Sequence, residues 1–170
     1  MASLTEIFIE SIIYILPAYV ANASPTVFGG GKPLDLGKNF IDGKRIFGDH
    51  KTIRGLLAGI LCGILTGIFL LPFVPNASLI DNLKRSTLLS IGTHIGDLLG
   101  SFIKRRIDIP PGGSFPVIDQ IGFLLTALFI TIPFYPLPFT HILLLIVLTL
   151  VLHPATNLIA YLIGLKDRPY

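Results

Sequence analysis

The chain has 170 residues, 52% of them hydrophobic and only 14% charged, where soluble globular proteins carry roughly 25% charged residues. That deficit excludes intrinsic disorder and argues against a soluble enzyme, and the excess of 13 Lys and Arg over 10 Asp and Glu has to be mapped before it can point to nucleic acid. A lone cysteine, Cys62, excludes an intrachain disulfide and any cysteine-based zinc site.

A membrane-spanning helix needs about 20 mostly apolar residues. Five stretches qualify, so the expected fold is an all-α integral membrane protein of about five transmembrane helices, one domain over residues 1–170. The first span covers residues 4–23. Glu6 and Glu10 lie near its outer end, where they read as interfacial or helix-N-terminal charges, and Pro17 should kink it. It lacks a positively charged leader and so does not read as a cleaved signal peptide. A long loop, residues 22–54, follows. The second span, residues 56–75, is uncharged. The third, residues 86–103, contains one charge, Asp97. The fourth runs from Ile118 to the cluster Pro133, Pro136 and Pro138, and the fifth covers residues 141–165. In the fifth, His153 and Asn157 flank Pro154 one turn apart. They either line a polar cavity or satisfy carbonyls that the proline frees.

The basic residues set the orientation. Lys32, Lys38, Lys44, Arg45, Lys51 and Arg54 lie in the first loop. Lys104, Arg105 and Arg106 follow the third span, and Lys166 and Arg168 lie in the tail. With five spans these segments share one side, and only Lys84 and Arg85 face the other. The N-terminus is then expected outside and the C-terminus in the cytoplasm, with the long loop also cytoplasmic. Gly55, Gly59, Gly63 and Gly67 in span two, and Gly92, Gly96 and Gly100 in span three, recur every four residues. Such stripes let helix backbones approach closely where lipid provides no hydrophobic drive. They leave room for a homodimer as well.

Asp97 is the first residue that demands an explanation. A carboxylate inside a span costs about 2.5–3.5 kcal/mol on insertion scales, so it needs a partner or a task. Ser101 and Lys104 follow on the same helical face, and His94 precedes it by three. Lys104 is nearly two turns away, too far for a direct pair on a straight helix. Asp119 opens the fourth span after Pro110-Pro111-Gly112-Gly113. It fits a helix N-cap, and it can also approach Asp97. Two carboxylates beside basic residues suit Mg²⁺, whose shell is hard oxygen from protein and substrate phosphate. The long loop carries Gly29-Gly30-Gly31-Lys32, Asp42-Gly43-Lys44-Arg45 and Gly48-Asp49-His50-Lys51-Thr52-Ile53-Arg54-Gly55. Loops of this length are usually functional. Its glycine amides and cations suit phosphate, although the spacing is not that of a P-loop. The basic stretches lack aromatic platforms and stand against a membrane, which removes the nucleic-acid reading. These residues alone point to a polyphosphate-and-metal site at the cytoplasmic face, open sideways to a hydrophobic substrate.

The chain resembles the archaeal CDP-archaeol synthases, which are CTP:2,3-di-O-geranylgeranylglycerol-1-phosphate cytidylyltransferases. The resemblance rests on Asn22-Ala23-Ser24-Pro25, on Asp42-Gly43-Lys44-Arg45 with Gly48 to Gly55, on Gly96-Asp97-Leu98-Leu99-Gly100-Ser101-Phe102-Ile103-Lys104-Arg105-Arg106, and on Pro110-Pro111-Gly112-Gly113 with Asp119-Gln120. The same segments are similar to a shortened CDP-diacylglycerol synthase, except that Arg54 and Gln120 stand where those enzymes have Glu and Arg. Neither is carried over as catalytic. The resemblance implies a CTP-dependent nucleotidyltransferase of the cell membrane, acting in phospholipid biosynthesis on an isoprenoid ether-lipid phosphate. It implies that Asp97 and Asp119 hold Mg²⁺, that Lys51, Lys44 and Arg45 clamp the triphosphate, and that Lys104 and Arg105 receive the lipid phosphate or the pyrophosphate. Gly48, His50, Thr52, Gly55 and Ser101 belong to the phosphate-binding segments, and Pro111, Gly112 and Gly113 pack close to the nucleotide. Asn22 and Pro25 contact cytosine or shape its pocket. The rivals are another lipid-phosphate enzyme, such as an isoprenoid kinase or a CDP-alcohol phosphatidyltransferase, and a transporter subunit. The chain shows neither the Asp-Gly-x-x-Ala-Arg string of the phosphatidyltransferases nor the internal repeat of many transporters.

Overall fold

The computed structural model describes residues 3–74 and 78–169. Its elements are α1 (Leu4–Phe28), α2 (Ile53–Leu70) with a 3₁₀ turn Leu71–Phe73, α3 (Leu79–Arg106), α4 (Ile118–Thr131) and α5 (Phe139–Leu162). Extended structure among the described residues is confined to two isolated bridges, Pro33–Thr52 and Asn39–Arg45, both with ends in the long loop. The chain is all-helical, as expected.

Several predicted boundaries move. Helix α1 does not stop at residue 23 but continues through Asn22 and Pro25 to Phe28, so the connecting loop is residues 29–52. Pro25 has no N–H for Ala21 O, and that carbonyl instead faces Gly59 of α2. The predicted end of span two, Pro75, lies outside the described residues; the α-helix itself ends at Leu70. Helices α1 and α5, and α2 with its 3₁₀ turn, are long and apolar enough to cross a membrane. Helix α3 has the length, with 28 residues, but carries charge at both ends as well as Asp97. Helix α4 has only 14 residues, a rise of ~21 Å against a hydrocarbon core of about 30 Å. Among the described residues five α-helices thus stand where about five spans were expected: three are candidate spans by length and composition, α3 is long but charged, and α4 is short and apolar.

The helix starts are written locally. Ser3 and Glu6 form a capping box at α1, which gives Glu6 its role. Thr52 caps α2 by accepting from the Gly55 amide at 3.0 Å, and Ser78 caps α3 by accepting from the Asp81 amide at 3.0 Å. A capping hydroxyl of this kind is worth about 1 kcal/mol.

The glycine stripes are the packing surfaces. Gly55, Gly59, Gly63 and Gly67 are all buried. A methyl group on Gly59 would meet His94 of α3 and Ala21 O of α1, and one on Gly63 would meet Ser90 of α3 and Pro17 O of α1. Helix α2 thus lies in a groove between α1 and α3. The α3 stripe faces the other way, onto α4. A methyl on Gly92 would come within 2.7 Å of Ala127 Cα, and one on Gly96 within 2.6 Å of Gly122 O. The apolar core gathers Tyr14, Ile15 and Ala18 of α1, Leu89 of α3, Phe123, Leu124, Ala127 and Leu128 of α4, and Leu145 of α5. Helix α5 buries only His141, Leu145 and Thr149. It is tied to α1 by the Tyr19–Thr149 hydroxyl pair at 2.6 Å and the His141–Glu10 contact at 3.2 Å. Tyr14 Oη also donates to Tyr135 O, just before α5, at 2.7 Å.

Gly96 has backbone on the opposing side, which cannot step aside as a flexible side chain can. Gly96→Ala should destabilise the detergent-solubilised protein by about 1–3 kcal/mol, seen as a lower unfolding midpoint. Leu57→Ala, at a side chain 56% exposed on the outer surface, should change it by no more than ~0.5 kcal/mol.

Candidate active site

Three segments meet at one end of the bundle: the loop 29–52, the C-terminal turns of α3 with the connection to α4, and the first turn of α4. Two lysine–carboxylate pairs join them. Lys51 Nζ, at the end of the loop, donates to both carboxylate oxygens of Asp97 at 2.6 and 2.5 Å. Lys104 Nζ, on the last turn of α3, donates to Asp119 Oδ1 at 2.7 Å and to Gly113 O at 3.2 Å. Asp97 therefore does have a partner, and it is Lys51 from another segment rather than Lys104 on its own helix. Asp119 is not the N-cap of α4; that position is Val117. It sits in the first turn, where Oδ2 accepts from the Phe115 amide at 2.8 Å. About a third of the Asp97 side chain and a quarter of Asp119 remain exposed, so both carboxylates are open to further ligands.

Around these pairs the predicted phosphate-binding residues form a wall. Gly48 adopts φ +97°, a conformation that glycine reaches without steric cost. A methyl there would lie 3.2 Å from Pro111 and 3.4 Å from the Arg105 guanidinium. Arg105 is buried, and its guanidinium donates to Pro110 O at 3.0 Å, fixing the Pro110-Pro111-Gly112-Gly113 turn. Gly112, at φ +77°, packs against His50. Gly113 presents its carbonyl to Lys104. Ser101 is buried one turn beyond Asp97. Thr52 and Gly55 form the capped start of α2, and Gly55 lies beside Pro25 of α1. Asn22 lies elsewhere, on a cavity between α1, α4 and α5 that His153 and Asn157 also line. The histidine–asparagine pair thus lines a cavity, one whose wall is otherwise largely apolar.

Lys44 and Arg45 are engaged in the loop itself. Lys44 Nζ pairs with Asp108 at 2.7 Å and donates to Arg106 O at 3.1 Å. Arg45 pairs with Asp49 at 2.8 Å and grips Asp35 through two nitrogens at 2.7 and 3.3 Å. Sequence reading passed over Asp35, although it is the anchor of the loop. Its side chain is fully buried and also accepts from the amides of Gly37, Phe47 and Gly48. Burial alone would raise its pKa, but the Arg45 guanidinium and the three amides outweigh it and hold the carboxyl far below the usual range. The available signal was Asp35-Leu36-Gly37, an Asx turn that the Gly37 amide closes. Arg106 was also passed over as more than a topological charge. It stacks between Phe40 and Phe102 at 5.2 and 4.4 Å from the ring centres, pairs with Asp42 at 2.7 Å, and donates to the carbonyls of Lys44 and Arg45. Cation–π contacts of this kind favour arginine over lysine.

The model of the CarS-like CDP-archaeol synthase family matches residues 4–170. A CDP-archaeol synthase of Pyrococcus furiosus is 47% identical over 165 residues, covering 95% of this chain and 98% of the relative. One of Methanocaldococcus jannaschii is 44% identical over 95% of this chain and 97% of the relative. A solved structure described as an intramembrane enzyme for archaeal membrane lipids biosynthesis superposes with a TM-score of 0.80 at 39% identity, covering 88% of this chain and 93% of that one.

The buried Asp35 hub predicts an acid-sensitive loop. A carboxylate whose pKa is depressed by folding contributes stability above its unfolded pKa of about 3.9, and that stability is lost as pH falls below this value. Amide hydrogen exchange, corrected for the intrinsic rate at each pH, should therefore find the Phe47 and Gly48 amides protected at neutral pH and progressively less protected below pH ~4. Asp35→Asn should expose the same amides at neutral pH, with a local loss of at least ~2 kcal/mol.

Proposed function

We infer the reaction from membership: the chain belongs to the CDP-archaeol synthase family, and it is a CTP-dependent nucleotidyltransferase of a membrane. It transfers CMP from CTP to an isoprenoid glycerol ether-lipid phosphate, 2,3-di-O-geranylgeranylglycerol 1-phosphate, leaving a CDP-lipid and pyrophosphate. A lipid phosphate oxygen forms a bond to the α-phosphorus while the α–β bridging P–O bond breaks and pyrophosphate departs. The observation that carries the site assignment is the pair of bridges Lys51–Asp97 and Lys104–Asp119 at the charged end of an apolar bundle.

In this reading Lys51 clamps the triphosphate of CTP. Lys44 and Arg45, whose charges are met by Asp108 and by Asp35 and Asp49, hold the shape of the loop rather than clamp the triphosphate directly. Lys104, with Arg105 behind it, faces the lipid phosphate or the departing pyrophosphate. The turn from Pro111 to Gly113 and the neighbouring Gly48 and His50 bring backbone close to the nucleotide, and Pro25, beside Gly55, shapes the base pocket from α1, while Asn22 faces the separate cavity between α1, α4 and α5. No side chain needs to act as a covalent nucleophile, because the lipid phosphate attacks directly. The work of the protein is alignment of two anions and neutralisation of the charge between them.

Among the described residues no three His, Cys, Asp or Glu side chains converge as a metal cage. Mg²⁺ does not call for one, since it is usually held by one or two carboxylates together with water and substrate phosphates. Asp97 and Asp119 are hard-oxygen donors, part-exposed and close to the phosphate-directed lysines, so they fit that role. A magnesium ion there would neutralise phosphate charge and ease departure of pyrophosphate. The concentration of Lys and Arg in these segments supports a cytoplasmic position for this end of the bundle, at the cell membrane.

Two measurements test the reading. Purified protein in detergent, given CTP, Mg²⁺ and a geranylgeranyl ether-lipid phosphate, should release pyrophosphate only when nucleotide and lipid are both present, and CTP should be preferred over ATP, GTP and UTP. Asp97→Asn should lower kcat/KM by on the order of 100-fold or more, with extraction and unfolding behaviour like the parent protein. Near-normal turnover by that variant would remove Asp97 from the metal site.

A further inference from the structure

The loop 29–52 carries an apolar tip that its own fold leaves uncovered. Asn39 and Arg45 form a bridge, and a tight turn closes between them. The Phe40 amide donates to Lys44 O at 2.8 Å, and the Gly43 amide donates to Phe40 O at 3.0 Å. Gly43 takes φ +77°, the left-handed conformation such a turn requires. Asp42 accepts from the Lys44 amide at 3.0 Å and pairs with Arg106 of α3 at 2.7 Å, so the turn is pinned from inside and from α3. Its two apolar side chains, Phe40 and Ile41, are 41% and 93% exposed.

The outward face of α3 shows where this tip lies. Ile91, Ile95, Leu99 and Ile103 recur every four residues and are all exposed, an apolar stripe along ~18 Å of helix. Phe102 stands about three turns beyond Ile91, on the same face. Phe40 meets it edge-on, with ring centres 5.1 Å apart and planes at 86°. The turn therefore rests against the side of α3, at the level where the stripe gives way to Lys104, Arg105 and Arg106. In a membrane-embedded bundle, a change from apolar to basic residues along a helix marks the boundary between acyl chains and headgroups. An apolar pair at that level, with the exposed Lys38 beside it, has the composition of an interfacial anchor, which buries apolar side chains below the headgroups and keeps its cations among them.

We propose that Phe40 and Ile41 insert into the headgroup–acyl boundary of the bilayer, so that the lipid surface is the partner of the loop tip and holds the loop against the membrane. The bilayer is the occupant because the tip continues, through Phe102, the apolar face that α3 turns outward. The inference needs the membrane position of the bundle and is independent of the nucleotidyl-transfer reading.

Fluorescence tests it. The chain contains no tryptophan, so Ile41→Trp introduces a single fluorophore at an exposed position. The full chain would be placed in phosphatidylglycerol nanodiscs whose acyl chains carry bromine close to the headgroup, with iodide added to the water in a parallel sample. The variant should emit to the blue of a tryptophan amide in water and lose roughly half its emission to the brominated lipid, as befits a side chain about 5–10 Å below the surface, while iodide quenches it little. Leu61→Trp, at a side chain of α2 that is 59% exposed, gives the reference for a helix face in lipid. Emission at the aqueous wavelength that iodide quenches and bromine does not would overturn the proposal. A blue shift without bromine quenching would place the tip against protein, such as a second copy of the chain, and overturn it equally. Should Ile41→Trp fail to fold, Phe40→Trp decides by the same two quenchers, bromine for the proposal and iodide against it. Loss of bromine quenching in Leu61→Trp as well would remove the membrane position of the bundle, and the proposal with it.

Discussion

A charge cannot be left alone inside an apolar bundle, and the site is built around that constraint. Asp97 lies within α3 among apolar residues and glycines, with His94 and Ser101 a turn away, and an unpaired carboxylate inside an apolar helix is costly. It is neutralised across segments, by Lys51 from the loop at 2.5–2.6 Å. Asp119 is neutralised across segments too, by Lys104 of α3 at 2.7 Å. Each bridge therefore does two things. It makes the carboxylate tolerable, and it pins a mobile kind of element, a loop end or a helix start, to α3. The carboxylates best able to hold a divalent cation and the lysines best able to hold phosphate are thereby placed side by side.

Helix α3 can serve as this common post because glycine lets other helices close on it. Gly92 and Gly96 admit the backbone of α4, and the α2 stripe admits Ser86, Ser90 and His94 of α3. The approach of α4 sets the position of Asp119, and the approach of α2 sets the position of Thr52 and hence of Lys51 one residue before it. In lipid, where apolar surface gains nothing by leaving its solvent, such backbone contact is the main attraction available. The spacing of glycines four apart thus reaches the chemistry in two steps, first by helix packing and then by the placing of each helix's first turn.

Much of this was legible. The all-helical class and the approximate place of the helices follow from the apolar runs, the glycine faces from their period, and Asp97 and Asp119 from the cost of acid groups at apolar positions. What was not legible depends on partners distant in sequence. Lys104 and Lys51 were both in view, but nothing local says which aspartate each one meets. The prolongation of α1 past Asn22 and Pro25 was hidden because proline usually marks an end, whereas here the neighbouring glycine face of α2 accommodates the freed carbonyl. The shortness of α4 was obscured because the apolar run continues past Thr131 without a charge, while the backbone leaves the helix there. Lys166, whose Nζ donates to Asn157 Oδ1 at 3.0 Å, read as a topological charge because its position follows from the turn at Gly164, φ +75°, and a glycine after an apolar run predicts a helix end without saying where the chain goes next.

The basic residues at the charged end of the bundle divide by what neutralises them. Arg45, Arg106 and Lys44 pair with Asp35, Asp42 and Asp108 and add bonds to backbone or aromatic rings, so their charge is committed to holding loop against loop. Lys51 and Lys104 pair with carboxylates that are themselves part-exposed and fit for other ligands. A phosphate oxygen can take the place of a carboxylate oxygen at a lysine with little change in geometry, since three ammonium protons allow several directions of approach. It cannot replace the fork that Arg45 makes with Asp35 without releasing the Gly48 and Phe47 amides as well. The charges of Arg45, Arg106 and Lys44 are therefore fixed in the shape of the loop, whereas those of Lys51 and Lys104 face carboxylates that another anion could replace. An anion that met these two lysines would leave the Asp35 contacts of the loop intact.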